Sequence, residues 1–137
     1  MSHTKFAAEV LTPEGEVFSE DIEMLSTVTT VGSIGILANH QPLLARLEPT
    51  ELRLYRSEEE IVRFAQAEGY LQVGENRAML LVQEAVSLES LDVADLRSRL
   101  AEAESTLAAS DAGSEKYRQA AREQKRLTAF IAVAESV

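Results

Sequence analysis

The spacing of apolar residues changes once along this chain, near residue 90, and that change determines which fold class is available. Before this point the sequence consists of short runs with a period of two, as in Phe6, Ala8 and Val10, which indicates strands with one face inward. After it the apolar spacing alternates between three and four residues, which is the period of an amphipathic helix. We therefore predict a mainly β domain over residues 1–89 and a helical domain over residues 90–137.

The first domain contains several strand-like runs separated by turn residues. Residues 12–15 and 74–76 supply turns, because proline fixes φ at the second turn position and glycine accepts positive φ. Strands this short and this regularly separated favour a β-sandwich or barrel. The further predicted runs are residues 17–18, 22–24, 52–55, 61–65, 70–73 and 78–82.

The second domain contains two amphipathic seams joined by a short break. We expect Asp92 and Ser114 to cap the two helices and Gly113 to adopt a left-handed conformation between them. A break this short predicts an antiparallel two-helix hairpin. The first seam is Val93, Leu96, Leu100, Ala103 and Leu107, and the second is Tyr117, Ala120 or Ala121, Gln124, Leu127, Ile131 and Ala134.

This hairpin carries little apolar surface for its length. It offers about six large apolar side chains, each worth roughly 1.5–3 kcal/mol when fully buried. Ordering about forty residues costs roughly 1–2 kcal/mol of backbone entropy per residue. We therefore expect the hairpin to lie on another surface, and its alanine-rich contacts to make that docking reversible, as in a movable arm.

Composition and motifs argue against several classes of function. The net charge of −10 disfavours nucleic acid and anionic lipid as partners. We expect no signal peptide, because the N-terminus runs into a strand-like pattern without a long apolar h-region. We also expect no membrane-spanning helix, because no segment approaches the ~18–20 apolar residues that a span needs. The chain has no Cys, and neither His3 nor His40 has metal-ligand spacing; we expect His40 to hydrogen-bond to backbone or to line an interface. Without a phosphate-binding glycine loop or a nucleophile elbow, we predict no catalytic residue, no metal and no cofactor.

Three stretches carry motifs whose order and spacing resemble one family. Residues 6–18 look like an opening strand and turn, residues 32–44 look like a signature loop, and residues 69–85 look like closing strands. Together with the hairpin they are similar to the epsilon subunit of bacterial-type F-type ATP synthases, over almost the whole chain. The resemblance implies a flattened β-sandwich followed by an antiparallel two-helix hairpin. It also implies a non-catalytic rotor subunit that joins the gamma subunit to the ring of c subunits and regulates ATP hydrolysis through a movable hairpin.

The resemblance places the rotor interface in the signature loop. Its residues would be Gly32, Ser33, Ile34, Gly35, Ile36, Leu37, Asn39 and His40. The residues themselves leave open that Ile36 and Leu37 belong to the core and that the glycines serve only the turn. Ser33 stands where relatives usually carry an acidic residue, which would alter the polar contact to the c ring.

On the second helix, four cations recur at helical spacing and form what we call the basic face. The basic face consists of Arg118, Arg122, Lys125 and Arg126. The resemblance implies that an extended hairpin reaches the catalytic beta subunits, and we expect this face to meet acidic residues there. The alternative is an ordinary solvated helix surface.

Some members of the family bind ATP at the hairpin as a regulatory ligand. Asp92, Arg122 and Arg126 stand at suitable positions for such a site. Asp95, however, occupies the place of an arginine, and its carboxylate would repel phosphate. We therefore expect an incomplete nucleotide site.

The resemblance also implies partners and a location. The partners would be the gamma subunit, the c-subunit ring and the catalytic beta and alpha subunits of a proton-translocating synthase. The chain would be peripheral at the cytoplasmic face of the bacterial plasma membrane, held there only through the complex. Two rival interpretations stay open: a ligand-sensing module with the hairpin as a nucleotide lid, and a free-standing adaptor unrelated to the synthase.

Overall fold

A computed structural model describes residues 3–136, and these form ten strands followed by two helices. The predicted β-sandwich with a C-terminal antiparallel hairpin is confirmed. Met1, Ser2 and Val137, which belong to the predicted domains, lie outside the described residues. The strands are β1 (Phe6–Thr12), β2 (Gly15–Ile22), β3 (Met24–Thr29), β4 (Gly32–Leu37), β5 (Leu43–Leu47), β6 (Thr50–Tyr55), β7 (Ile61–Gln66), β8 (Gly69–Gly74), β9 (Arg77–Val82) and β10 (Ala85–Ser87). A 3₁₀ turn (Leu88–Ser90) leads to the helices α1 (Val93–Ala109) and α2 (Glu115–Glu135).

The strands pair in the order β10-β7-β6-β3-β5-β8-β9-β1-β2, with β4 added to β3. The two halves of this order are joined by a single register pair, Thr29 of β3 opposite Leu47 of β5. They face each other across one core: Phe18 of β2 and Phe64 of β7 make an edge-to-face contact with ring centroids 6.4 Å apart. The sandwich is therefore closed by side chains from strands near opposite ends of the order.

Alternate residues of the strands fill this core, as the period of two predicts. Phe6, Ala8 and Val10 of β1 are all buried. Among the described strands, β1 makes the one parallel pair: it runs alongside β9, with Ala7 opposite Arg77. Every other strand pair is antiparallel.

Two local predictions in the sandwich are wrong. The predicted signature loop, residues 32–44, contains strand β4, which pairs along its whole length with β3, from Gly32 opposite Thr29 to Leu37 opposite Met24. The glycines suggested a loop, but Gly32 serves the preceding turn with φ +130°, while Ile34 and Ile36 alternate like strand residues. The predicted run at residues 22–24 is instead the junction between β2 and β3.

The local signals of the hairpin are confirmed. The Asp92 carboxylate accepts a hydrogen bond from the backbone N–H of Asp95 (3.2 Å), and the Ser114 hydroxyl accepts one from that of Tyr117 (3.1 Å). Gly113 has φ +94° in the turn between them. Neither helix within residues 3–136 combines the length and the apolar character needed to cross a membrane.

The buried face of α2 is wider than the predicted seam. Leu127 and Ile131 are buried as predicted, but so are Phe130 and Val133, which the seam omits. The reason is that α2 packs against both α1 and the sandwich, so it buries apolar side chains on two adjoining faces. These residues form a second cluster with Leu96 and with two residues of the sandwich side, Ala65 and Ala67.

Candidate functional site

Strand β4 carries most of the predicted rotor-interface residues along a free edge of the sheet. It pairs with β3 on one side and with no other described strand. Its outward side chains include Leu37, which is 51% exposed, and the adjoining turn carries Val31, which is 95% exposed. Ile36 is fully buried in the core. The sequence left open whether Ile36 and Leu37 contact a partner or belong to the core. In the structure Ile36 belongs to the core, whereas Leu37 lies on the surface and is available to a partner.

An unpaired strand edge offers backbone N–H and C=O groups to another chain. Here those groups lie beside the exposed apolar side chains of Val31 and Leu37. Ser33 is also exposed on this strand. The edge can therefore combine backbone hydrogen bonds with apolar contact, which is the chemistry of strand-addition interfaces.

The connection after β4 is held by hydrogen bonds to the sandwich. Asn39 has φ +61°, and its backbone N–H donates to Oδ1 of Asn76 at 2.7 Å. The amide of Asn76 in turn donates to the backbone carbonyl of Lys5 at 3.2 Å. Nδ1 of His40 lies 2.7 Å from the carbonyl oxygen of Gln41, so this ring nitrogen donates a hydrogen bond to the backbone. A backbone hydrogen bond was one of the two roles expected for His40. The two Asn76 contacts hold the loop against the β8–β9 turn and the residue before β1, whereas the His40 contact lies within the loop.

The basic face is divided into two pairs in this structure. Arg118 and Arg122 contact Glu115 of their own helix, at 2.9 and 3.3 Å, and both are about half exposed. Lys125 and Arg126 instead contact carboxylates of the sandwich. Two of the four cations therefore lie in the interface between the hairpin and the sandwich.

Arg126 is the most enclosed of these cations, with 19% of its side chain exposed. Its Nε and Nη2 atoms donate to the carboxylate of Glu68 at 3.2 and 3.0 Å, which is a bidentate contact. Its Nη1 atom lies 3.9 Å from Oε1 of Glu84 and 3.4 Å from Oε2 of Glu123. Desolvation acts to raise the pKa of Glu68, but the hydrogen bond from Arg126, a backbone hydrogen bond and the charges of Arg126 and Arg122 together outweigh it and leave that pKa below its ordinary value.

Lys125 makes the second ionic contact between hairpin and sandwich. Its Nζ atom lies 2.6 Å from Oε2 of Glu48, in the segment between β5 and β6. We call Glu48, Glu68 and Glu84 the sandwich carboxylates. Sequence reasoning missed all three, because each is a single acidic residue near a strand end and its partner lies far along the chain.

The three predicted nucleotide ligands are engaged separately. Asp92 caps α1 and Arg126 is bound to Glu68. Arg122 lines a cavity of about 550 Å³ between α2 and the strand ends, where Arg46 and Tyr70 also lie. Within residues 3–136 there is no cluster of three or more His, Asp or Glu side chains that could hold a metal ion.

The chain matches a family model and has relatives of known name. The model described as ATP synthase, Delta/Epsilon chain, beta-sandwich domain matches residues 5–88. The chain is 31% identical over 129 residues to the ATP synthase epsilon chain of Sulfurihydrogenibium sp. (strain YO3AOP1), covering 94% of this chain and 96% of that one.

Two solved structures have a similar fold. A chain of the Euglena gracilis mitochondrial ATP synthase, solved by cryo-EM as OSCP/F1/c-ring in rotational state 1, gives a TM-score of 0.78 at 18% identity, covering 96% of this chain and 83% of that chain. A chain of the Tetrahymena thermophila mitochondrial ATP synthase central stalk and c ring gives 0.65 at 20% identity, covering 98% and 99%. At these identities the likeness shows the fold alone.

Proposed function

Because this chain belongs to the delta/epsilon chain family of ATP synthases, we propose that it is a non-catalytic subunit of the central stalk that joins the gamma subunit to the c ring. The observation that carries the proposal is the family match over the sandwich, together with similarity to an epsilon chain over nearly the full length of both proteins. The partners are then gamma, the c ring and the catalytic beta and alpha subunits of a proton-translocating F-type synthase. The subunit lies peripherally at the cytoplasmic face of the bacterial plasma membrane.

Rotor assembly falls to residues 1–89 in this proposal. The free edge of β4 and the exposed side chains of Val31 and Leu37 support it, because they offer an apolar and hydrogen-bonding surface without any rearrangement of the core. The fixed loop at Asn39 and His40 extends the same surface.

Regulation falls to residues 90–137, through a hairpin that leaves the sandwich and extends toward the catalytic subunits. The composition of the docking interface supports a movable hairpin. Among the described residues, the sandwich contributes two buried alanines, Ala65 and Ala67, to the second cluster, and Val86 of β10 is partly buried against it. Methyl groups bury little apolar area, so the apolar part of docking is weak.

The test is co-purification of the tagged full-length chain from detergent-solubilised membranes, with mass-spectrometric identification of what it retains. We expect gamma, c, alpha and beta subunits. Leu37→Glu should reduce recovery of the c ring, because it places a charge in the apolar edge of β4. Ile61→Glu is the matched control, since Ile61 is also a partly exposed apolar strand residue but lies on β7. Recovery of an unrelated set of proteins would refute the proposed function, and equal loss in both variants would refute the placement of the interface.

A further inference from the structure

The docked hairpin places two cations of the basic face against acidic residues of the sandwich. Lys125 contacts Glu48 at 2.6 Å, and Arg126 contacts Glu68 at 3.0 Å with Glu84 nearby. The other two cations, Arg118 and Arg122, form their ion pairs with Glu115 of the same helix, and Arg118 also donates to the backbone carbonyl of Gly113 in the hairpin turn. The hairpin therefore presents one pair of cations to solvent and holds the other pair in its own docking interface.

These ionic contacts add charge pairing to the apolar packing of α2 on the sandwich. On the sandwich, the buried members of the second cluster are two alanines, Ala65 and Ala67, whose side chains are single methyl groups, and the partly buried Val86 of β10 and Leu88 pack against that cluster. Arg126, by contrast, makes a bidentate contact with a carboxylate in a partly desolvated position, where charge-assisted hydrogen bonds are strong. Loss of this contact would favour the undocked hairpin.

A guanidinium that is enclosed by Glu68, Glu84 and Glu123 cannot at the same time contact a carboxylate of another subunit. The same holds for the Lys125 ammonium at its closest approach to Glu48. We propose that the sandwich carboxylates form a latch that withholds Lys125 and Arg126 from an acidic surface of the catalytic subunits. The inference rests on the proposed function, because it assigns the two cations to inhibition as well as to docking.

Under this proposal, removing the carboxylate of an ion pair and removing its cation have different effects on inhibition. Removing the carboxylates frees the hairpin and leaves its cations intact, so the hairpin should inhibit more. Removing the cations also frees the hairpin but deprives it of the charges that bind the catalytic subunits. If the ion pairs served only to stabilise the fold, removing the carboxylates and removing the cations would change the ATPase rate equally.

The experiment compares two double variants of the full-length chain in the assembled complex. Glu48→Gln with Glu68→Gln neutralises the sandwich side of the latch, and Lys125→Gln with Arg126→Gln neutralises the hairpin side. We expect the ATPase rate to be lower in the carboxylate variant than in the cation variant, by about twofold or more. Glu135→Gln is the control, since Glu135 pairs with Arg97 within the hairpin and should leave the rate unchanged.

Docking is measured separately on the isolated full-length chain. Because the sequence has no Cys, fluorescent labels can be attached at Glu59→Cys in the sandwich and Ala132→Cys on α2. Both double variants should raise the ratio of undocked to docked hairpin by about tenfold or more, because each removes the bidentate Arg126–Glu68 contact and the Lys125–Glu48 contact, and one charge-assisted hydrogen bond alone accounts for about tenfold. Far-UV circular dichroism should show that the sandwich stays folded.

Two results would overturn the latch. One is an equal ATPase rate in the two double variants, and the other is an unchanged docking ratio in both. Failure of the chain to enter a synthase complex would instead refute the proposed function. The docking measurement does not require the complex, so the two failures are distinguishable.

Discussion

Gly69 provides the sharpest test of how the sandwich is packed. It begins β8 and lies opposite Val82 of β9. A Cβ atom at this position would lie 2.0 Å from the carbonyl oxygen of Leu81 and 2.7 Å from Cα of Val82. Both are backbone atoms, so no rotation of a side chain can relieve the clash. In Gly69→Ala the start of β8 must separate from β9 by about an ångström, which breaks local packing on both sides.

The expected magnitude follows from two opposing effects. Overpacking a core costs roughly 1–3 kcal/mol, and a backbone clash belongs at the upper end of that range. Replacing glycine by alanine also restricts the unfolded chain, which stabilises by about 0.4–1 kcal/mol where the native conformation allows it. Gly69→Ala should therefore lose about 2–3 kcal/mol of unfolding free energy. Gly74→Ala, at the other end of the same strand, should lose nothing, because its Cβ position has no atom within 4 Å.

The assay is urea unfolding of both variants followed by far-UV circular dichroism. A change of the urea midpoint at constant m-value would report a change in stability. In a thermal melt of the same variants, each kcal/mol should move the melting temperature by roughly 3–6 °C. The reasoning is refuted if Gly69→Ala unfolds within about 0.5 kcal/mol of the parent chain, the usual range for harmless surface changes. It is also refuted if the two glycine variants shift alike.

Four further predictions concern function and electrostatics. A chain ending at Glu89 should fold and still bind a gamma–c-ring subcomplex in a pull-down; loss of binding with the sandwich intact would place the assembly surface on the hairpin. Calorimetric titration should detect ATP binding only at millimolar concentration or not at all, with Asp95→Arg raising the affinity; micromolar binding by the parent chain would contradict this. Changing the whole basic face to Ala should raise the ATPase rate of the assembled complex, whereas a normal rate in an assembled complex would mean a solvated surface. The hydrogen bond from Arg63 holds the pKa of Glu51 below its ordinary value, so its stabilising effect is complete above the unfolded-state pKa and is lost as pH falls through the folded-state pKa. Glu51→Gln should accordingly flatten the acid side of the stability–pH profile, and an unchanged slope would exclude this contact as its cause.

Local chemistry in this chain was predictable, and long-range chemistry was not. The caps at Asp92 and Ser114 and the left-handed Gly113 depend on neighbours within a few residues, so their signals lie in short segments. The β4 strand was missed because Gly35 imitates a loop residue. A Cβ atom there would lie 3.2 Å from Cε of Met24, so this glycine gives close side-chain packing within a strand.

The candidate latch shows the same limit more strongly. Arg126 and Glu68 are 58 positions apart, and no periodicity in either segment marks them as partners. The sequence did predict a cationic helix face and a hairpin that needs a surface. Which cations would be covered depends on how α2 is rotated against the sandwich. That rotation is decided by packing of Leu127, Phe130 and Ile131 around Ala65.

The parallel pairing of β1 with β9 has a consequence for biosynthesis. β1 can form a ribbon with β2 as soon as residue 22 has left the ribosome, since that pairing is local. Its other edge must wait for a partner that begins at Arg77, opposite Ala7, so closure of the sandwich is a late and non-local event. An open strand edge is a template for pairing between chains. Nascent or truncated chains that stop before β9 should therefore aggregate, whereas the α-helical hairpin, whose contacts are local, adds no comparable delay.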